Sequence, residues 1–156
     1  QAQTLSEIPH SGMAATHDIG DKVCIHPAKK KPVGDRLAYL ALTKNYGFDF
    51  ISFDTPVPAS FEFRDGKAYV TFETDRFGIS PILKDIEGLE LAGEDRVFYP
   101  AVGRVYHSDY KVVEVTSPQV PSPVAVRYGM RNWSVATMFN NYGIPVSPFR
   151  SDDWEE

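Results

Sequence analysis

Only one stretch of this chain carries a helical stripe, and the long remainder carries none. Val33, Leu37, Leu40 and Ala41 recur at helical spacing, with Arg36 and Lys44 off the stripe. Pro32 suits a first helical turn, and Gly47 stands where a left-handed cap ends a helix. The spacing predicts a helix over 32–46. One amphipathic helix cannot bury its own face, so it must pack on something else.

From Phe50 onward the pattern changes to strands. Phe61-Glu62-Phe63 and Ala68 to Phe72 flank Asp65-Gly66, a strong two-residue hairpin signal. Val102 to Tyr106 and Val112 to Val115 flank a second turn at His107-Ser108-Asp109, and Val124 to Tyr128 follows a run punctuated by proline. Twelve prolines, eleven glycines and twenty aromatics suit short strands and tight turns. The spacing predicts an antiparallel β-sandwich over 50–156. Its inward residues are Phe61, Phe63, Val70, Phe72, Val113, Val115, Val124 and Val126, which keep a two-residue period in pairs.

Residues 1–49 make a poor domain alone. A strand at Gly12 to Ile19, a polar loop and the helix read as the end of an α/β layer rather than a whole one. Gln1 opens with neither an initiator Met nor a signal region, so the chain reads as a piece of something longer. The expected class is therefore α+β, mostly β, divided at 49/50.

A net charge of −5 argues against a nucleic-acid partner, because phosphate binding draws on clustered Lys and Arg. No apolar run approaches the ~20 residues of a membrane span. The single cysteine, Cys24, excludes an internal disulfide framework.

The chemically suggestive residues crowd into 10–31: His10, His17, Asp18, Asp21, Cys24, His26 and the lysines at 29–31. His17-Asp18-Ile19-Gly20 resembles a signature of metal-dependent phosphohydrolases, but those proteins are all-helical and this chain is not. A zinc site from His17, Cys24 and His26 matches no common finger spacing. His26-Pro27, at the end of a loop that leads into the helix, fits a general base better. Such a residue must take a proton from a nucleophile and return it to a leaving group.

Ile8 to Ala15, Asp18-Ile19-Gly20-Asp21, Ile25-His26-Pro27 and Val33 to Ala38 together resemble the C-terminal half of sialate O-acetylesterases. Leu91 to Phe98, Pro123 to Tyr128 and Pro145 to Trp154 continue the resemblance to the end of the chain. It implies the C-terminal end of an SGNH α/β hydrolase domain followed by a β-rich region. It also implies secreted or periplasmic location and removal of acetyl groups from sialic acid or related sugars through an acyl-enzyme, with neither metal nor cofactor. His26 takes the role of base. The family's serine lies in a Gly-Gln-Ser-Asn segment that this sequence lacks, so the implied partner is the N-terminal half of the same esterase. Ser80, in Gly78-Ile79-Ser80-Pro81, imitates that segment but lies among strands and reads as a turn residue. Many SGNH enzymes place an Asp where this chain has Val23; Asp21, Asp18 or a backbone carbonyl must then orient the ring. The competing reading is a non-catalytic sugar-binding or structural β module.

Overall fold

The computed structural model describes residues 4–48 and 53–155. After a single helical turn, α1 (Thr4–Glu7), the chain runs without regular structure to α2 (Lys31–Tyr46). The helix ends at Gly47, whose φ of 71° lets the Phe48 N–H reach back to the Leu42 carbonyl at 3.1 Å. Its buried face differs from the apolar stripe. Arg36 and Leu40 are buried, whereas Leu37 is exposed. A charged residue can occupy that face because Asp18 neutralises it there, as described below.

The strand expected over 12–19 does not form. Residues 11–16 are irregular and end in a turn, with the Ile19 N–H bonded to the Thr16 carbonyl at 3.1 Å. Small residues such as Gly12, Ala14 and Ala15 make a weak strand, and no neighbouring strand pairs with them among the described residues. Leu40 packs over Gly12 instead. The strand-loop-helix end of an SGNH α/β layer is therefore not what this segment builds.

The β region begins with β1 (Val57–Arg64) and β2 (Lys67–Glu73), which pair Phe63 with Ala68 and Arg64 with Lys67. Asp65 and Gly66 take φ values of 52° and 73°, both positive as a type I′ turn requires. A short β3 (Ile79–Ser80) is followed by β4 (Ile86–Ala92), β5 (Phe98–Tyr106), β6 (Asp109–Thr116), β7 (Ala125–Tyr128), β8 (Phe139–Asn140) and β9 (Phe149–Arg150). Seven of these strands form one antiparallel sheet in the order β1-β2-β6-β5-β4-β7-β9, and β3 pairs with β8 separately.

That sheet is not half of a sandwich. Its two edge strands meet through side chains: the Phe149 ring of β9 lies 5.9 Å from Phe61 of β1 and 5.7 Å from Phe72 of β2. The sheet curls on itself into a nearly closed barrel around Val70, Phe72, Leu89, Leu91, Val113, Val115, Val126 and Tyr128. Alternation predicts one buried face per strand, but not whether a second sheet or the same curling sheet covers it. Curvature has a local cause in β5. Gly103 points inward, and a Cβ there would lie 2.5 Å from Leu89 Cδ1 and 3.0 Å from Val113 Cγ1.

Of the residues expected inside, Val70, Phe72, Val113, Val115 and Val126 are buried in this core. Phe61 and Phe63 are partly buried against it. Val124 stands outside it, half-buried just before β7, with its N–H bonded to the Ala92 carbonyl at 2.8 Å. The division expected at 49/50 lies outside the described residues. On either side of it the two parts touch. Tyr39 stacks on Phe53 at 4.2 Å, and the His17 ring stands edge-on to Tyr128 at 6.0 Å.

Candidate active site

The loop between residues 17 and 26 is anchored at its start by a buried ion pair. The two Arg36 terminal nitrogens reach the Asp18 carboxylate at 2.7 and 2.6 Å, and Nη1 also donates to the Ala15 carbonyl at 2.6 Å. This ties the turn at 17–19 to the middle of α2. Ile19 is buried beneath it, and Gly20 lies against Trp133, so that a Cβ at position 20 would be 3.8 Å from the indole.

Asp21 shapes the next turn. Its Oδ1 accepts from the N–H groups of Val23 and Cys24 at 2.9 and 3.0 Å, the local bonding that makes Asp a turn former. Cys24 Sγ then accepts from the His26 N–H at 3.4 Å and donates to the His26 carbonyl at 3.5 Å. Pro27 confines His26 to extended backbone, and α2 starts a few residues later.

The backbone of His26 is thus held from two sides, while its side chain is exposed and its ring nitrogens have no partner among the described residues. Neither expected orienting carboxylate bonds the ring: Asp18 is engaged by Arg36 and Asp21 by its own turn. The flanking Val23 and Ile25 are 92% and 90% exposed, unusual for aliphatic side chains.

His17 is not on this exposed side. It is half-buried against Tyr128, its Nε2 lacks a hydrogen-bond partner, and burial pushes its pKa below the ordinary histidine value. The nearby Arg36 pushes it the same way, and Asp18 opposes both. Three or more His, Cys, Asp or Glu side chains do not converge as metal ligands would anywhere among the described residues. Ser80 lies in β3, paired with Phe139, as a strand residue rather than a turn residue.

One constellation escapes a linear reading. The outer face of the sheet at Gly88, Glu90, Pro100 and Val102 forms the floor of a groove of about 590 Å³, and the segment 129–137 forms its wall. That segment is pinned at its far end. The Tyr128 hydroxyl accepts from the N–H groups of Thr137 and Met138, and Thr137 Oγ1 donates to the Glu87 carbonyl at 2.8 Å. Glu90 faces the groove yet is only 9% exposed, because Arg131 covers it. Arg131 Nε and Nη2 both donate to Glu90 Oε1, at 3.0 and 2.6 Å. The only sequence signal was a lone carboxylate between Leu89 and Leu91; its partners come from a distant loop.

With this geometry in view, the class is given by likeness to known structures. Over nearly its whole length the chain is similar to part of a carbohydrate esterase. The protein concerned is a carbohydrate acetylesterase from Xanthomonas citri, whose crystal structure matches with a TM-score of 0.86 and 37% sequence identity. The match covers 99% of this chain and 35% of that one, so the chain spans about a third of the esterase's length. No family model matches the sequence, and no curated protein matches it.

Proposed function

We propose that this chain is part of a carbohydrate O-acetylesterase that removes acetyl groups from sialic acid or a related sugar. The observation that carries the reading is the 37% identity, spread over 99% of the chain, to an enzyme that is itself a carbohydrate acetylesterase. His26 is the general base of this reaction, and the serine nucleophile belongs to polypeptide outside this sequence. In its favour, the imidazole is unengaged at the exposed end of a loop whose backbone is tightly held. Around it Val23 and Ile25, and along α2 Leu37 and Tyr46, form exposed apolar surface suited to contact with that polypeptide.

In the proposed reaction His26 takes the serine proton as Oγ attacks the acetyl carbonyl. It returns that proton to the sugar oxygen as the ester bond breaks, leaving an acetyl-serine. His26 then takes a proton from water as the water adds to the acetyl group and gives it to the serine oxygen as that ester bond breaks, and acetic acid leaves and loses its proton to solvent. An imidazole suits both directions of transfer near neutral pH. Asp21 is a positioning residue: it holds the turn at 23–24, from which Cys24 fixes the His26 backbone.

The test is acetate release from O-acetylated sugar by the assembled esterase. His26→Ala lowers kcat by about 100-fold or more, the usual scale of lost acid–base catalysis, with KM little changed. Asp21→Asn lowers it less and leaves the pH profile in place. Unchanged turnover in His26→Ala refutes the assignment.

A further inference from the structure

The groove on the outer face of β4 and β5 is mostly apolar, with the Glu90–Arg131 pair set into it and Trp133 on its wall. We infer that it is a sugar-binding subsite for an uncharged carbohydrate, the β body of this chain supplying grip on the substrate of the proposed reaction. The inference rests on the esterase reading for its biological purpose, but not for its geometry.

Three observations carry it. Trp133 lines the wall and is 38% exposed, and a Cβ at Gly20, in the loop that leads to His26, would lie 3.8 Å from its indole, so that loop backs the ring. An indole of this kind offers a flat apolar face to the C–H side of a pyranose ring, and its amphipathic character suits a half-wet site. Glu90 and Arg131 form a charge-assisted pair in which Oε1 takes both guanidinium bonds. Oε2 has no partner among the described residues, and Arg131 has further N–H groups, so the pair offers an acceptor and donors side by side. Adjacent sugar hydroxyls, each both donor and acceptor, match that arrangement. Finally, the volume of about 590 Å³ lies in the range of small-molecule sites and accommodates a short oligosaccharide segment.

Charge selects among sugars. Glu87 and Glu90 line the groove against Arg131 as the single cation there, and that cation is already committed to Glu90. A sugar carboxylate would meet net negative charge and a cation already paired with Glu90, whereas a neutral sugar meets hydrogen-bonding groups at no such cost. Of the sugars the esterase reading leaves open, this favours neutral glycans over sialic acid.

The test is a titration of the 156-residue chain followed by NMR at the indole Nε1–H of Trp133. The probes are cellotetraose, xylotetraose and galactotetraose, with N-acetylneuraminic acid as the anionic arm. At least one neutral tetrasaccharide is expected to shift the Trp133 signal saturably, while N-acetylneuraminic acid leaves it unmoved. Read by isothermal titration calorimetry, because the variants at 133 lose the reporting indole, Trp133→Ala weakens the binding tenfold or more, Trp133→Phe by less, and Glu90→Gln several-fold. Because Trp133 sits on an exposed loop, Trp133→Phe keeps the comparison valid if the alanine variant is unstable. The proposal falls if none of the three tetrasaccharides moves the signal, if Trp133→Phe and Trp133→Ala bind as the parent does, or if N-acetylneuraminic acid occupies the groove. Binding by this chain does not require His26, so His26→Ala is expected to titrate like the parent. Failure of the base assignment shows in acetate release, and failure of the groove shows here.

Discussion

Asp18 and Arg36 meet carboxylate to guanidinium in two parallel bonds of 2.7 and 2.6 Å, with side chains 13% and 10% exposed. The pair joins the turn before the His26 loop to the centre of the helix after it, so the loop is closed at its base by one ion pair. Such pairs contribute little net stability relative to apolar packing, but losing one partner strands the other charge in a dry place.

Asp18→Ala should therefore destabilise the chain by about 3 kcal/mol, the lower end of the cost of breaking a buried pair. Replacing both partners, as Asp18→Leu with Arg36→Met, should cost less than the single change. Urea unfolding followed by circular dichroism reads both. An Asp18→Ala midpoint equal to that of the parent would show the pair to be idle.

The His17 ring predicts a pH dependence. Its pKa in the folded chain is lowered by burial against the ordinary value of 6.5, so the unfolded chain binds more protons just below 6.5. Stability is then complete above pH 6.5 and declines as pH falls below it, levelling off once the folded ring also protonates. His17→Phe keeps an aromatic edge against Tyr128 and removes both the titration and the unpartnered Nε2. Melting temperatures at pH 7.5 and 5.5 should differ less in His17→Phe than in the parent. An equal difference in the two proteins would assign the pH dependence elsewhere.

Near the C-terminus, Asp152 bonds Arg127 at 2.9 and 2.7 Å, and that bonding holds its carboxyl below the usual range near 3.8. A depressed carboxyl stabilises the fold above pH 3.8 and loses that contribution as pH falls through its lower folded value. Asp152→Asn should thus be more harmful at pH 7 than at pH 2.5. Denaturant midpoints at the two pH values measure it, and a constant difference would contradict the linkage.

At Gly103 the barrel wall leaves no space for a side chain, since Leu89 Cδ1 already stands 2.5 Å from where a Cβ would be. Gly103→Val should cost about 1–3 kcal/mol by overpacking, and Gly103→Ala somewhat less. A thermal melt checks it; a tolerated valine would mean that β4 moves away freely.

Local chemistry was readable in the sequence wherever contacts are local. Asp65-Gly66 dictated a hairpin because both positions need positive φ, and the proline and glycine around 33–46 bounded a helix at nearly the right residues. The two-residue alternation of Val70/Phe72 and Val113/Val115 marked a buried face because successive strand side chains point to opposite sides. What the alternation leaves open is the identity of the surface across from that face. Only the tertiary structure decided that Phe61 and Phe149 meet to curl one sheet, where spacing suggested two. The same holds for Arg36, which reads as a solvent residue until Asp18 folds beneath it, and for Glu90, whose partner Arg131 lies far along the chain. Pairing across long separations depends on where the barrel brings two segments together, and periodicity within either segment carries no information about that.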